Sequence, residues 1–190
     1  MRRDRIDIQK SIERGKVIRD SPGFAIFMMH VTNVLLVGTA LFLATFYYYF
    51  QFREGKHLLV PSILLGLAFI LAVLLIYVFT KLDKLQKIKG TSQQRNHFAV
   101  LQIAKKLGWT LEKHGEELSV LYPPGKWYSP NRQVTVIFED DQILVNAISF
   151  GVHDYKSPIF WFGNRNMERT FIDLFRKELE KESPAGVRYL

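Results

Sequence analysis

Two short runs in the second half of the chain gather the side chains that acid–base or metal chemistry uses. Glu139-Asp140-Asp141 offers three adjacent carboxylates, and His153-Asp154-Tyr155-Lys156 offers several titratable types in a row. Carboxylates between two strand-like runs usually solvate a turn, and neighbours in an extended chain point to opposite sides. Adjacency alone therefore builds no catalytic pair, and we expect no catalytic residue and no metal ligand in either run.

The motifs that hold phosphates, nucleophiles or zinc do not occur in this sequence. It has neither the P-loop pattern nor G-x-G-x-x-G, and neither G-x-S-x-G nor H-E-x-x-H. The chain also has no cysteine, which excludes disulfides and thiolate metal sites. The sequence thus predicts no cofactor and favours a non-catalytic role.

An apolar and aromatic run between the last strand-like segment and the last helix is the remaining candidate site. It reads Ser157-Pro158-Ile159-Phe160-Trp161-Phe162-Gly163, whereas a connection at this place is normally solvated. One interpretation is a fifth strand or a lid over the sheet. The other is an exposed patch that contacts the membrane interface or a partner protein, formed by Phe160, Trp161 and Phe162.

Two long apolar runs, residues 24–50 and 58–80, occupy the first half of the chain with a short polar break between them. The first would extend roughly 40 Å as a helix, against about 30 Å for the hydrocarbon core of a bilayer. Neither run contains Asp, Glu, Lys or Arg. A backbone in lipid must satisfy its own hydrogen bonds, so both runs are predicted to be helices. The sequence predicts a transmembrane hairpin over residues 24–80, with the lipid bilayer as a partner.

The net charge of +8 lies beside these apolar runs. Residues 1–23 contribute +3, the break between the two runs contributes +1, residues 81–95 contribute +4, and residues 96–190 are neutral. Basic flanks favour the cytoplasmic side, so both termini are predicted to be cytoplasmic, at the plasma (inner) membrane of a bacterium. The neutral remainder argues against nucleic-acid binding. The residues predicted to contact anionic lipid are Arg2, Arg3, Arg5, Lys81, Lys84, Lys87 and Lys89.

The basic flanks are predicted to be an arm and a linker. Residues 1–23 form a cytoplasmic arm, either flexible or a short amphipathic helix on the leaflet, since Ile8 and Ile12 are one turn apart. Residues 81–94 form a juxtamembrane linker. Its apolar residues recur at intervals of three, which favours a helical continuation of the second apolar run: Leu82, Leu85 and Ile88.

Residues 95–182 have the pattern of one small α+β domain, and residues 183–190 are a tail. An amphipathic helix is followed by four strand-like runs, of which 134–139 and 143–150 are the clearest, and by a second amphipathic helix over 166–182. The order is α-β-β-β-β-α, an antiparallel sheet with flanking helices. The polar face of the last helix is predicted to comprise Glu168, Arg169, Asp173, Lys177 and Glu180.

Together these patterns predict an integral membrane protein with a cytoplasmic α+β binding domain. The favoured function is that of a non-catalytic accessory or scaffold subunit, with other membrane proteins or further copies of the chain as partners. The alternative is a membrane-anchored enzyme or small-ligand sensor with a pocket in the cytoplasmic domain.

Overall fold

The computed structural model describes residues 6–19, 23–55, 57–125, 131–150, 156 and 160–182. The chain divides into two units. One consists of residues 21–81, and the other combines residues 1–20 with residues 82–190. The apolar hairpin is therefore an insertion in the sequence of the second unit.

Helices α2 (Gly23–Arg53) and α3 (Leu59–Lys81) form the first unit and pack against each other. Helix α2 continues three residues beyond the predicted apolar run. It ends where Gly55 takes a left-handed conformation, with φ of 65°. Segments Val34–Arg53 and Leu59–Lys81 are long and apolar enough to cross a membrane, by length and composition.

The second unit is built on a five-stranded antiparallel sheet with the strand order β3-β7-β6-β5-β4. The strands are β3 (Gln86–Lys89), β4 (Thr110–His114), β5 (Leu118–Tyr122), β6 (Asn131–Glu139) and β7 (Gln142–Phe150). Two helices flank them, α4 (Gln93–Leu107) and α5 (Trp161–Glu182). The predicted antiparallel sheet with flanking helices is confirmed.

Strand β3 lies in the segment predicted to be a linker with a helical continuation. Helix α3 ends at Lys81, and β3 pairs with β7 at the edge of the sheet. Ile88 is buried while Lys87 and Lys89 are exposed, which is the alternation of a half-buried strand. The spacing of three among the apolar residues therefore does not reflect a helix here.

Helices α4 and α5 cover one face of the sheet, which we name the helix face. Its core is apolar, because each strand presents alternate aliphatic side chains to an amphipathic helix. Trp109 stacks on Phe171, which in turn stacks on Phe175. The buried residues of this core include Val100, Ile103, Leu121, Val134, Val136, Ile143, Val145, Phe171 and Phe175.

The other face is covered by the N-terminal segment, residues 6–19, and we name it the N-terminal face. This segment forms a pair of short strands, β1 (Ile6–Asp7) and β2 (Ile18–Arg19), around helix α1 (Ile8–Arg14). Gly15 ends α1 in a left-handed conformation. Ile6, Ile8, Ile12 and Val17 pack against the apolar residues of this face: Leu85, Leu118, Val120, Ile137 and Leu144.

The predicted arm is thus a folded part of the sheet domain over residues 6–19. Its isoleucines, which suggested an amphipathic helix on the leaflet, contact the sheet. Sequence periodicity could not distinguish these two outcomes, because an apolar helix face fits a sheet and a lipid surface equally well.

Candidate functional site

The chain leaves the sheet domain and returns to it at adjacent points, which we name the hairpin junction: residues 16–19 and 82–85. The amide of Val17 donates to the carbonyl of Asp83 at 2.8 Å, and the amide of Leu85 donates to the carbonyl of Gly15 at 3.0 Å. Lys16 and Lys84 form an antiparallel bridge between these hydrogen bonds. The two chain segments that flank the hairpin in sequence are therefore joined by backbone pairing within the sheet domain.

A buried asparagine holds the returning chain against the sheet. Asn146 lies in β7 on the N-terminal face and is 2% exposed. Its Nδ2 donates to the carbonyls of Leu82 at 2.9 Å and Lys84 at 3.1 Å. Since these carbonyls belong to non-repetitive chain between α3 and β3, the side chain supplies donors that no neighbouring strand provides.

Charged groups reinforce the junction. The Asp83 carboxylate pairs with Arg19 Nη1 at 3.4 Å and with Lys156 Nζ at 2.5 Å. The Arg19 guanidinium carbon lies 5.4 Å from the centroid of the Phe150 ring, and Phe150 forms a bridge with Lys156. The Asp83 carboxylate thus connects both segments of the hairpin junction to the end of β7.

The aromatic residues predicted as a contact patch lie at the start of α5. Phe160 is 37% exposed and Phe162 is 69% exposed, while Trp161 is half-buried with its ring 5.0 Å from that of Phe162. The Arg165 guanidinium lies 5.7 Å from the Trp161 ring. The structure therefore exposes two of the three predicted patch residues. Ile159 lies outside the described residues.

The lysines predicted to contact anionic lipid are separated by the fold. Lys84, Lys87 and Lys89 are exposed, and Lys81 at the end of α3 is half-buried, with its ammonium 5.7 Å from the Tyr77 ring. Lys87 and Lys89 follow β3 along the sheet edge rather than one face of a helix. Their contact with lipid stays a prediction. Arg2, Arg3 and Arg5 lie outside the described residues.

The acidic run at 139–141 forms the turn between β6 and β7. Glu139 accepts a hydrogen bond from Gln142, and the Asp141 carbonyl accepts one from the Gly90 amide at 2.7 Å. Across the described residues, no three His, Cys, Asp or Glu side chains are grouped to hold a metal ion. In the other predicted run, residues 153–155 lie outside the described part of the chain, and Lys156 belongs to the junction.

A buried carboxyl group in α5 was missed from the sequence. Glu168, predicted on the polar face, is 2% exposed, and burial raises its pKa to about 7, although Arg165 nearby acts in the opposite direction. Its Oε2 accepts from Arg165 Nη1 at 2.9 Å. Its Oε1 and the Nδ2 of Asn164 are buried without a partner. The apolar positions three and four residues away, Phe171 and Ile172, were the signal that this side faces the core.

A pair of histidines lies near the two hairpin turns of the sheet. His97 in α4 stacks on Phe138 with ring centroids 3.7 Å apart, and His114 Nδ1 is 2.6 Å from Ser119 Oγ. Burial and the neighbouring His97 lower the pKa of His114. The rings are 5.0 Å apart and edge-on. Since each ring already has a hydrogen-bond partner, this cluster supports a packing role.

Comparisons with protein-family models, with curated proteins and with solved structures found no match to this chain, so its function has to be argued from its own geometry.

Proposed function

We propose that this protein is a non-catalytic accessory or scaffold subunit that holds its α+β domain at the cytoplasmic face of a bacterial inner membrane. The observation that carries the proposal is the hairpin junction. Only residues 20–22 separate β2 from α2, and Leu82, the residue after α3, is already buried in the sheet domain. Connections this short limit how far the chain can separate the domain from the bilayer.

The surface of the hairpin supports a membrane location. Large apolar side chains are exposed along both helices, for example Phe42 at 66%, Leu59 at 73% and Phe69 at 63%. In water, such side chains would cost about 25 cal/mol for each Å² of apolar surface left uncovered. Contiguous apolar surface on this scale is typical of contact with lipid or with other membrane proteins.

The junction also supports the proposed orientation. Residues 16–19 and 82–85 pair with each other, so the chain enters and leaves the hairpin on the same side of the membrane as the sheet domain. The excess of basic residues in the flanks favours the cytoplasm for that side. Two independent features thus support one topology.

Single cysteines test this topology directly, because the natural chain has none. Glu54→Cys lies in the connection between the hairpin helices, and Ser92→Cys lies at the exposed start of α4. In intact cells, a membrane-impermeant maleimide should label Glu54→Cys, and it should label Ser92→Cys only after permeabilisation. Equal labelling of the two sites in intact cells would contradict the proposal.

The scaffold role predicts a defined partner in the membrane. Gentle extraction followed by mass and composition analysis should recover the chain with another membrane protein in a constant ratio, or as a homo-oligomer. A chain that emerges as a monomer from several mild detergents would contradict that role.

The alternative, a membrane-anchored small-ligand sensor, is favoured by one observation. Glu168 Oε1 and Asn164 Nδ2 are polar, buried and without partners, a state that a bound polar molecule would relieve. A metabolite that raises the Tm of the wild-type chain but not that of Glu168→Gln would support the sensor.

A further inference from the structure

The two ends of the sheet differ in what they carry. One end, which we name the hairpin end, is where β7 ends at Phe150. There Arg19 packs over the Phe150 ring. At the opposite end, the turn end, lie the turns between β4 and β5 and between β6 and β7, linked by a hydrogen bond from the Phe138 amide to the Glu117 carbonyl. The chain departs for α2 from the hairpin end.

The exposed aromatic residues belong to the hairpin end. Ser149, the residue before Phe150, donates its hydroxyl to Asn164 Oδ1, which fixes the first turn of α5 beside the end of β7. Phe160 and Phe162 lie within four residues of Asn164. The last two residues of β7 therefore contact two parts of the chain. Ser149 contacts the start of α5, and Phe150 contacts Arg19, which lies just before the hairpin in sequence.

The hairpin end and the turn end of the sheet also differ in the charged residues that they carry. The described residues at the hairpin end include four basic side chains, Arg19, Arg132, Lys156 and Arg165, with Asp83 and the buried Glu168 as the acids facing them. The two turns at the other end carry four exposed carboxylates, Glu116, Glu117, Asp140 and Asp141, and the exposed lysines of β3, Lys87 and Lys89, lie beside the second of these turns. The basic side chains at the hairpin end outnumber the acids there, which suits contact with an anionic lipid surface.

We propose that the start of α5, with Phe160, Trp161 and Phe162, inserts into the headgroup layer of the bilayer that the hairpin spans. This contact rests on the membrane location proposed above and adds a further attachment on the cytoplasmic leaflet. Tryptophan is enriched at that depth because its indole combines an apolar body with a polar N–H, and the two exposed phenylalanine rings add apolar surface that gains from burial.

Spin labels at three matched phenylalanines test the contact in the full-length chain. Phe162→Cys reports the start of α5, Phe98→Cys reports an exposed position in α4, and Phe69→Cys reports the middle of α3. The protein is reconstituted in vesicles of phosphatidylethanolamine and phosphatidylglycerol. Collision with oxygen, which partitions into lipid, is compared with collision with a water-soluble nickel chelate.

The expected result is that the label at 162 favours oxygen over nickel, in the direction of the label at 69, while the label at 98 favours nickel. Equal nickel accessibility at 162 and 98 would overturn the inference. So would a label at 162 that neither reagent reaches, since that indicates burial against protein. If the label at 69 is itself exposed to nickel, the membrane-spanning hairpin fails, and the proposed function fails with it.

Discussion

The two faces of the sheet are closed in different ways. The helix face is covered by two long amphipathic helices over the larger apolar cluster of the domain, although polar side chains such as Asn96, Ser119 and Glu168 are also buried on that side. The N-terminal face is covered by a short segment and has polar side chains at its centre, Gln133, Thr135 and Asn146, all of them buried. The difference teaches that apolar packing supplies stability on the first face, whereas on the second, hydrogen bonds determine where the hairpin is attached.

The largest effect is expected on the helix face. Phe171→Ala removes a fully buried ring that stacks on Trp109 and Phe175, and it should cost about 3–5 kcal/mol of unfolding free energy. Thermal unfolding in detergent measures the loss as a lower Tm. Phe98→Ala, at an exposed phenylalanine, should change the unfolding free energy by less than about 0.5 kcal/mol. Similar losses in the two variants would contradict the assignment of the core.

On the N-terminal face, the expected cost depends on hydrogen bonds. Asn146→Leu leaves the carbonyls of Leu82 and Lys84 without a donor and should cost about 2–4 kcal/mol. Thr135→Val, at the paired position in β6, loses a single contact from Gln133 and should cost about 1 kcal/mol. Only Asn146→Leu should speed proteolysis at residues 82–85. Equal cleavage of both variants would contradict the conclusion that Asn146 holds residues 82–85 against the sheet.

A buried carboxyl group lies on the helix-covered side, and its effect on stability depends on pH. Glu168 has an ordinary pKa of 4.5 when unfolded and about 7 when folded. Between those values the unfolded chain releases a proton that the folded chain keeps, so the unfolding free energy falls as pH rises, by roughly 3 kcal/mol in total. Glu168→Gln should abolish that fall and be the more stable protein at pH 8. Parallel Tm curves for the two proteins from pH 5 to pH 8 would contradict this.

A smaller effect than those of Phe171→Ala and Asn146→Leu is expected within the N-terminal segment. Ser11 is fully buried, with its hydroxyl donating to the Asp7 carbonyl at 2.5 Å and accepting from the Ile18 amide at 2.8 Å. Ser11→Ala should cost about 1–2 kcal/mol. Glu13→Ala, at an exposed position of the same helix, serves as the control and should leave the Tm unchanged. A wild-type Tm for Ser11→Ala would mean that this segment contributes little to the N-terminal face.

Sequence patterns predicted the helices and strands that are long enough to show a clear hydrophobic repeat within their own residues. The amphipathic repeat of α5 and the β-rich runs of β6 and β7 are long enough for period and composition to agree, and the structure confirms them. Strand β3 could not be predicted, because four residues of Gln, Lys and Ile have no strong strand propensity and are held by pairing with β7. The N-terminal segment escaped prediction for a similar reason, since its partners lie beyond the hairpin.

Of the candidate functional features, only the aromatic run at the start of α5 was noticed from the sequence. Four apolar residues in a row led to the prediction of a contact patch, but the exposure of Phe162 depends on how α5 packs, which no local pattern encodes. Glu168 was assigned to the polar face because charged residues are almost never fully buried, and here the general rule failed. The junction contacts join residues more than sixty positions apart and leave no mark in either stretch alone.

The insertion of the hairpin within the sheet domain also determines the order in which the chain can mature. The N-terminal segment is synthesised first, yet Val17 and its isoleucines are covered only by residues from Leu85 onward. These side chains must therefore remain uncovered while both hairpin helices and the strands are made. A chain truncated after α3 would therefore carry an N-terminal segment whose apolar side chains have no sheet to bind.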